Sequence, residues 1–203
     1  MSGRLNDVWR STDYGATWTA MTTSAEWIPR WSQSAVVMPD RSIVMTGGWN
    51  NEYLYDVWRS TDFGATWTQV NNTLGGISRG YHSTVSLPDN SILLMGGINE
   101  GGVRKDVWRS ADSGVTWTLL TDNAVWSDRY SPNVLALPDA GVILIGGSNG
   151  TDTSDVWQFL PAGSQEQNPV HMYATPGTYT VSLQVRNATG INSTRKTGYI
   201  TVD

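Results

Sequence analysis

The chain has 203 residues, of which 39% are hydrophobic and only 15% charged, with no cysteine and a formal net charge of −5. Without cysteine there are no disulfides, thiolate metal sites or thiol nucleophiles. An acidic chain with no basic run has little to offer a phosphate backbone, so nucleic acid is not an expected partner. No stretch approaches the roughly 18 apolar residues that cross a membrane, and the opening MSGRLNDVWR has no apolar leader.

From the N-terminus, residues 7–18 read DVWRSTDYGATW. The phrase returns at 56–67 as DVWRSTDFGATW and at 106–117 as DVWRSADSGVTW, and a fourth copy at 155 stops after DVWQF. The starts are 49, 50 and 49 residues apart. Between them a second phrase recurs in register: RWSQSAVVMPDRSIVMTGG at 30–48, RGYHSTVSLPDNSILLMGG at 79–97 and RYSPNVLALPDAGVILIGG at 129–147. Each period therefore holds four short apolar or β-branched runs separated by turn residues. In the second period these are expected at 82–87, 91–96, 106–110 and 116–120. No helical periodicity is sustained, so the chain reads as all-β. It begins almost inside a repeat, which leads us to expect an internal start or a piece of a longer protein.

A fixed period near fifty residues indicates a repeat architecture. Arg, Pro-Asp, Gly-Gly and Asp-Val-Trp in this order resemble the kelch motif, and Ser-x-Asp-x-Gly-x-Thr-Trp resembles the Asp-box, or BNR repeat, of sialidases and related propellers. The resemblance covers residues 4–160 and implies a partial β-propeller of four-stranded antiparallel blades. The words supply about three and a half blades, against the four to eight of closed propellers. A homo-oligomer that closes the ring is therefore one expectation.

The structural Asp-box positions are Asp13, Gly15 and Trp18, then Asp62, Gly64 and Trp67, then Asp112, Gly114 and Trp117. A short carboxylate can accept the turn's own N–H groups, and glycine can take a positive φ. The tryptophan can bury its ring over the hairpin. Full burial of a Trp is worth ~4–6 kcal/mol as an upper bound, so most of the clamp energy is expected in Trp18, Trp67 and Trp117.

After Phe159 the composition changes. Asn168-Pro169-x-His171-x-Tyr173, Pro176-Gly177-Thr-Tyr179-Thr-Val181 and Asn187-Ala188 resemble the second half of a PKD domain, an Ig-like sandwich module of secreted and surface proteins. The first strands of that family are missing, and Trp157 and Phe159 fall where its Trp and Phe would be. We therefore divide the chain into propeller repeats at 1–160 and a truncated Ig-like β-sandwich tail at 161–203. His171 sits where the resemblance places a structural histidine.

The loops opposite the Pro-Asp and Asp-box turns form a candidate ligand-binding rim: Trp27, Arg30, Trp31, Trp49, Tyr53, Arg79, Tyr81, Trp126, Arg129 and Tyr130, with Asn50, Asn51, Asn99 and Glu100. Aromatic faces beside amides and guanidinium groups suit sugar stacking. The alternative reading has several aromatics packing under loops and one arginine per blade bonding loop carbonyls.

Three arginines on different blades also invite comparison with sialidases, yet no Tyr–Glu nucleophile pair or separate acid is evident. A copper centre of the galactose-oxidase kind is excluded by the missing cysteine. An oxygen-rich loop from Asn149 to Asp155 is the one segment with calcium-ligand character; no metal or other cofactor is expected.

Sequons at Asn71, Asn149, Asn187 and Asn192 and the PKD resemblance point to the cell surface or extracellular space. The expected function is a non-catalytic module for adhesion, envelope assembly or binding of a surface glycan or protein. The alternative is a sialidase-like glycoside hydrolase fragment.

Overall fold

The computed structural model describes residues 3–137, 141–159, 176–187 and 190–202, and among them contains strands, turns and one short 3-10 turn at Leu74–Gly76 but no α-helix. The first sheet pairs β1 (Val8–Arg10) with β2 (Thr19–Thr22). The second holds β3 (Ser34–Val37), β4 (Ile43–Trp49), β5 (Tyr53–Ser60) and β6 (Thr68–Asn71) in sequential order.

The third is built from β7 (Ser83–Ser86), β8 (Ile92–Met95), β11 (Val107–Ser110) and β12 (Thr118–Thr121), with a small ribbon of β9 (Ile98–Asn99) and β10 (Gly102–Val103) projecting between β8 and β11. The fourth has three strands, β13 (Asn133–Ala136), β14 (Val142–Ile145) and β15 (Val156–Phe159). All pairings are antiparallel, and the four strands expected in the second period are observed as β7, β8, β11 and β12. The all-β expectation holds, with one half sheet, two full sheets and one sheet of three strands.

In the tail, β16 (Gly177–Asn187) and β17 (Gly190–Val202) form an antiparallel hairpin. Asn168, Pro169, His171 and Tyr173 lie outside the described residues.

The repeat explains why strands such as Ile92-Leu93-Leu94-Met95 are continuously apolar instead of alternating. Ile92 and Leu94 belong to a core with Val44, Val57 and Trp117. Leu93 and Met95, on the opposite face, belong to a core with Val107, Val142 and Leu144. A sheet buried on both faces needs apolar residues at every position.

Hydrogen bonds tie the first strands of successive sheets to each other. Ser34 Oγ and Thr84 Oγ1 lie 2.7 Å apart, Ser86 Oγ donates to Val37 O, and Ser83 Oγ donates to Pro132 O. The residues leading into these strands continue the chain of contacts: Tyr81 N donates to Ser32 O and Ser131 N donates to Tyr81 O. Ser32, Tyr81 and Ser131 all sit at positive φ, 55°, 57° and 52°, a strained choice for non-glycine residues repeated at one position before β3, β7 and β13.

The Asp-box hairpins follow the expected design. Asp62 Oδ1 accepts the N–H groups of Ala65 and Thr66, and its Oδ2 accepts the Thr66 hydroxyl. Ser60 Oγ donates to Asp62 and accepts Gly64 N–H. The same bonds, the Ala65 contact excepted, recur around Asp13 and Asp112. In every copy the indole N–H returns to the glycine carbonyl. The Thr66 bonds hold the Asp62 carboxyl at about 2, and the Thr17 bonds hold Asp13 at about 2.

The expectation for Trp18 needs correction. Trp67 and Trp117 are buried, but Trp18 is 59% exposed. The reason is that an Asp-box packs on the preceding sheet: Trp67 lies with Val8, Ala25 and Trp27, and Trp117 with Val57 and Leu74. Among the described residues no sheet packs against Trp18 from the preceding side. Most of the burial energy therefore belongs to contacts between sheets, not to the hairpin alone.

Candidate functional site

The loops leading into β3, β7 and β13 carry the three repeated arginines, and their surroundings differ from an open rim. Arg30, Arg79 and Arg129 are 3%, 0% and 0% exposed. Each forms a two-pronged ion pair with the aspartate of the Asp-Val-Trp word in its own sheet: Arg30 with Asp56 (2.5 and 2.7 Å), Arg79 with Asp106 (2.8 and 2.7 Å) and Arg129 with Asp155 (2.7 and 2.8 Å). Each also donates to the carbonyl of the first glycine in the Gly-Gly pair of its repeat, Gly47, Gly96 or Gly146.

The aspartate in turn accepts the indole N–H two residues on, from Trp58, Trp108 or Trp157. One guanidinium thus joins the first, second and third strands of a sheet, and planar two-point geometry is what arginine supplies and lysine does not.

Burial alone would push the Asp106 carboxyl up, yet the Arg79 guanidinium more than offsets it and the carboxyl lies below its ordinary value. At Asp155 the bond from Arg129, helped by Trp157, holds the carboxyl far down. The rim reading of Arg30, Arg79 and Arg129 is corrected accordingly: their guanidinium groups face the sheet interior, already engaged, and do not converge on one ligand. Sequence reasoning foresaw the carbonyl bonds but missed the aspartate partners, although the Arg-to-Asp interval of 26, 27 and 26 residues was visible.

Two of the rim aromatics are also core residues. Trp27 is 6% exposed and meets Trp67 edge to face at 4.6 Å. Trp126 is 6% exposed in the core of the last two sheets. Of the other five, four come together in ring contacts and Tyr53 opens β5. Trp49 meets Trp31 at 5.4 Å, Trp31 meets Tyr81 at 5.4 Å, and Tyr81 meets Tyr130 at 6.0 Å, all edge to face.

This row crosses three sheets, with Trp31, Tyr81 and Tyr130 before their first strands and Trp49 at the end of β4, and Trp31 is 47% exposed. Burial raises the Tyr81 hydroxyl above its usual range, with Tyr53 and Tyr130 contributing. Arg4 stacks on Trp49 at 4.7 Å and donates to Asn51. Asn99 is taken up by Arg104 and Gly101 N–H, and Glu100 accepts Ser78 Oγ.

Next to Tyr81 in sequence is His82, which is buried, with Nε2 at 2.8 Å from Thr46 Oγ1. Burial, assisted by the Arg79 charge, lowers it to about 3. It is neutral at physiological pH. In the oxygen-rich loop, Asp155 is committed to Arg129, and Asn149 Oδ1 accepts Thr151 N–H. Among the described residues no group of three His, Asp or Glu side chains is placed to hold a metal ion. A recess of about 390 Å³ lies between the Pro-Asp turns, lined by Val37, Pro39, Leu87, Pro88 and Ala136; it is apolar and away from the aromatic row.

Residues 57–70 match the BNR-Asp box repeat family, and residues 147–202 match the PKD domain family. The chain thus carries these two elements in the order read from its sequence, and the hydrogen bonds around Asp13 and Asp112 repeat those of the matched copy. Both families are typical of extracellular and surface proteins. The PKD match reaches back across β15, which is paired with β14 in the last sheet. The kelch likeness rests on its Arg, Pro-Asp, Gly-Gly and Asp-Val-Trp words. No curated protein matches the chain. No described helix is long and apolar enough to cross a membrane.

Proposed function

We propose that the chain is a non-catalytic module of the cell surface or extracellular space, whose row of Trp49, Trp31, Tyr81 and Tyr130 binds a surface carbohydrate by stacking. The observation that carries this reading is the row itself. Four aromatic rings, half-exposed at Trp31, succeed one another at 5.4–6.0 Å across three sheets. Ring faces of this kind suit the C–H faces of sugars, and Arg4 and Asn51 flank one end to read hydroxyl groups.

The engagement of all three arginines by aspartates weighs against a sialidase-like site, which needs free guanidinium groups for a carboxylate. The exposed sequon at Asn149 accords with this setting.

Calorimetric titration with a panel of neutral and sialylated oligosaccharides tests the reading. The expected result is binding that weakens at least tenfold in Trp31→Ala, with an unchanged melting temperature. Hydrolysis of any of these glycans, or binding indifferent to Trp31→Ala and Tyr81→Ala together, overturns it.

A further inference from the structure

The two ends of the sheet array expose the two halves of a contact that the chain makes internally. Corresponding positions follow from the strand registers. On β7, β8 and β11, Val85, Leu93, Met95 and Val107 face the following sheet and are buried in the core shared with it. Their counterparts on the last sheet are Leu135, Ile143, Ile145 and Val156. Leu135 is 53% exposed, Ile145 37% and Val156 63%.

At the other end, Trp58 and Trp67 pack on the preceding sheet, as do Trp108 and Trp117. Their counterparts in the first sheet, Trp9 and Trp18, are 51% and 59% exposed. The chain thus presents an aliphatic face at one end and an indole face at the other.

The internal contacts define how these faces fit. A β-carbon on Gly64 would stand 2.8 Å from Val8 Cγ1, and one on Gly114 would stand 2.8 Å from Val57 Cγ1. The valine of the Asp-Val-Trp word therefore seats on the glycine of the next Asp-box. Val156 is the same valine with no such glycine against it. Gly15 is the same glycine with no such valine, its nearest neighbour being its own Trp18 at 4.0 Å.

We propose that a second copy of this chain docks head to tail, with Val156, Leu135 and Ile145 of one copy against Gly15, Trp9 and Trp18 of the other. The occupant is chosen by continuity: the contact repeats an interface already built within the chain, from the same words. It is independent of the carbohydrate reading, since none of these residues lies in the aromatic row. Such an interface is heterologous, with different surfaces on the two partners, and so builds rings or open chains.

Sedimentation velocity on the full 203-residue chain, over a wide concentration range, tests this. Wild type should populate species at multiples of 22.3 kDa. Val156→Asp with Leu135→Asp should be monomeric, and so should Trp9→Ser with Trp18→Ser. These side chains are exposed, so both variants should keep the wild-type circular dichroism spectrum.

Mixing the two variants leaves one intact tail and one intact head, and should give a heterodimer that stops at two copies. Three results overturn the proposal: a wild type that stays monomeric, as it would if β16–β17 covered the last sheet; an oligomer that survives either double substitution; or variants that fail to complement each other.

Discussion

The γ-methyl of Val57 lies where a β-carbon on Gly114 would approach to 2.8 Å, with Val44 Cγ1 at 3.2 Å. The Asp-box glycine therefore answers two demands: a positive φ of 93° and room for the neighbouring sheet. Gly15 has the first demand only, at φ 90° with its own Trp18 ring at 4.0 Å as nearest neighbour. Alanine at either site incurs a left-handed backbone cost of about 1–2 kcal/mol. Gly114→Ala should lose about 1–3 kcal/mol more through overpacking. Urea melts of the two variants in dilute solution measure the difference, and Val57→Ala should recover part of it.

Trp67 and Trp18 occupy the same place in the repeat but not in the core. Trp67→Ala should destabilise the fold by about 3–5 kcal/mol, whereas Trp18→Ala should stay within about 0.5 kcal/mol. Equal losses in denaturant melts would show that the energy resides in each hairpin and not between sheets.

The Arg79–Asp106 pair is buried on both sides, with side-chain exposures of 0% and 12%. Arg79→Met leaves a buried carboxylate without its partner and should cost about 3–5 kcal/mol. Adding Asp106→Leu removes the stranded charge, so the double variant should be the more stable of the two. The exposed pair of Arg59 with Asp40 is a control, where Arg59→Ala should cost at most about 1 kcal/mol. Thermal melts of the three variants rank them.

His82 makes stability depend on pH in a definite direction. Its folded value of about 3 lies below the ordinary 6.5, so the unfolded chain binds the extra proton first. Stability is complete above pH 6.5 and falls by up to about 1.4 kcal/mol per pH unit as pH drops towards 3. His82→Leu should flatten melting temperature between pH 6.5 and 4.5. The Asp13 and Asp62 carboxyls, held at about 2 against an ordinary 3.8, act lower: their contribution is present above 3.8 and is lost as pH falls through 2.

The repeat made the strands readable. Four apolar runs per period, punctuated by Pro-Asp, Gly-Gly and Ser-x-Asp-x-Gly, locate β7, β8, β11 and β12 within two residues, because turn chemistry is local and recurs. The partners of the arginines were less readable. Arg79 and Asp106 are 27 residues apart, and an arginine beside aromatic loops looks the same whether it faces solvent or a buried carboxylate.

Trp27 and Trp31 differ in the same way. They are four positions apart in one loop, yet one enters the core and the other remains half-exposed, as decided by which neighbouring sheet stands above each. Trp18 shows the limit most plainly: its word differs from that of Trp67 only in Tyr14 for Phe63, and whether a sheet lies against the ring sets its exposure.

The seating of each Asp-box on the sheet before it also gives the array a gradient of cohesion. Contacts run from one sheet to the next, as in a stack of coins, so each sheet is held by as many interfaces as it has neighbours. The two central sheets have one on either side, while β1–β2 has one. Opening should begin there, by local fraying of the first hairpin, and amide hydrogens of Thr19–Thr22 should exchange long before those of Ile92–Met95.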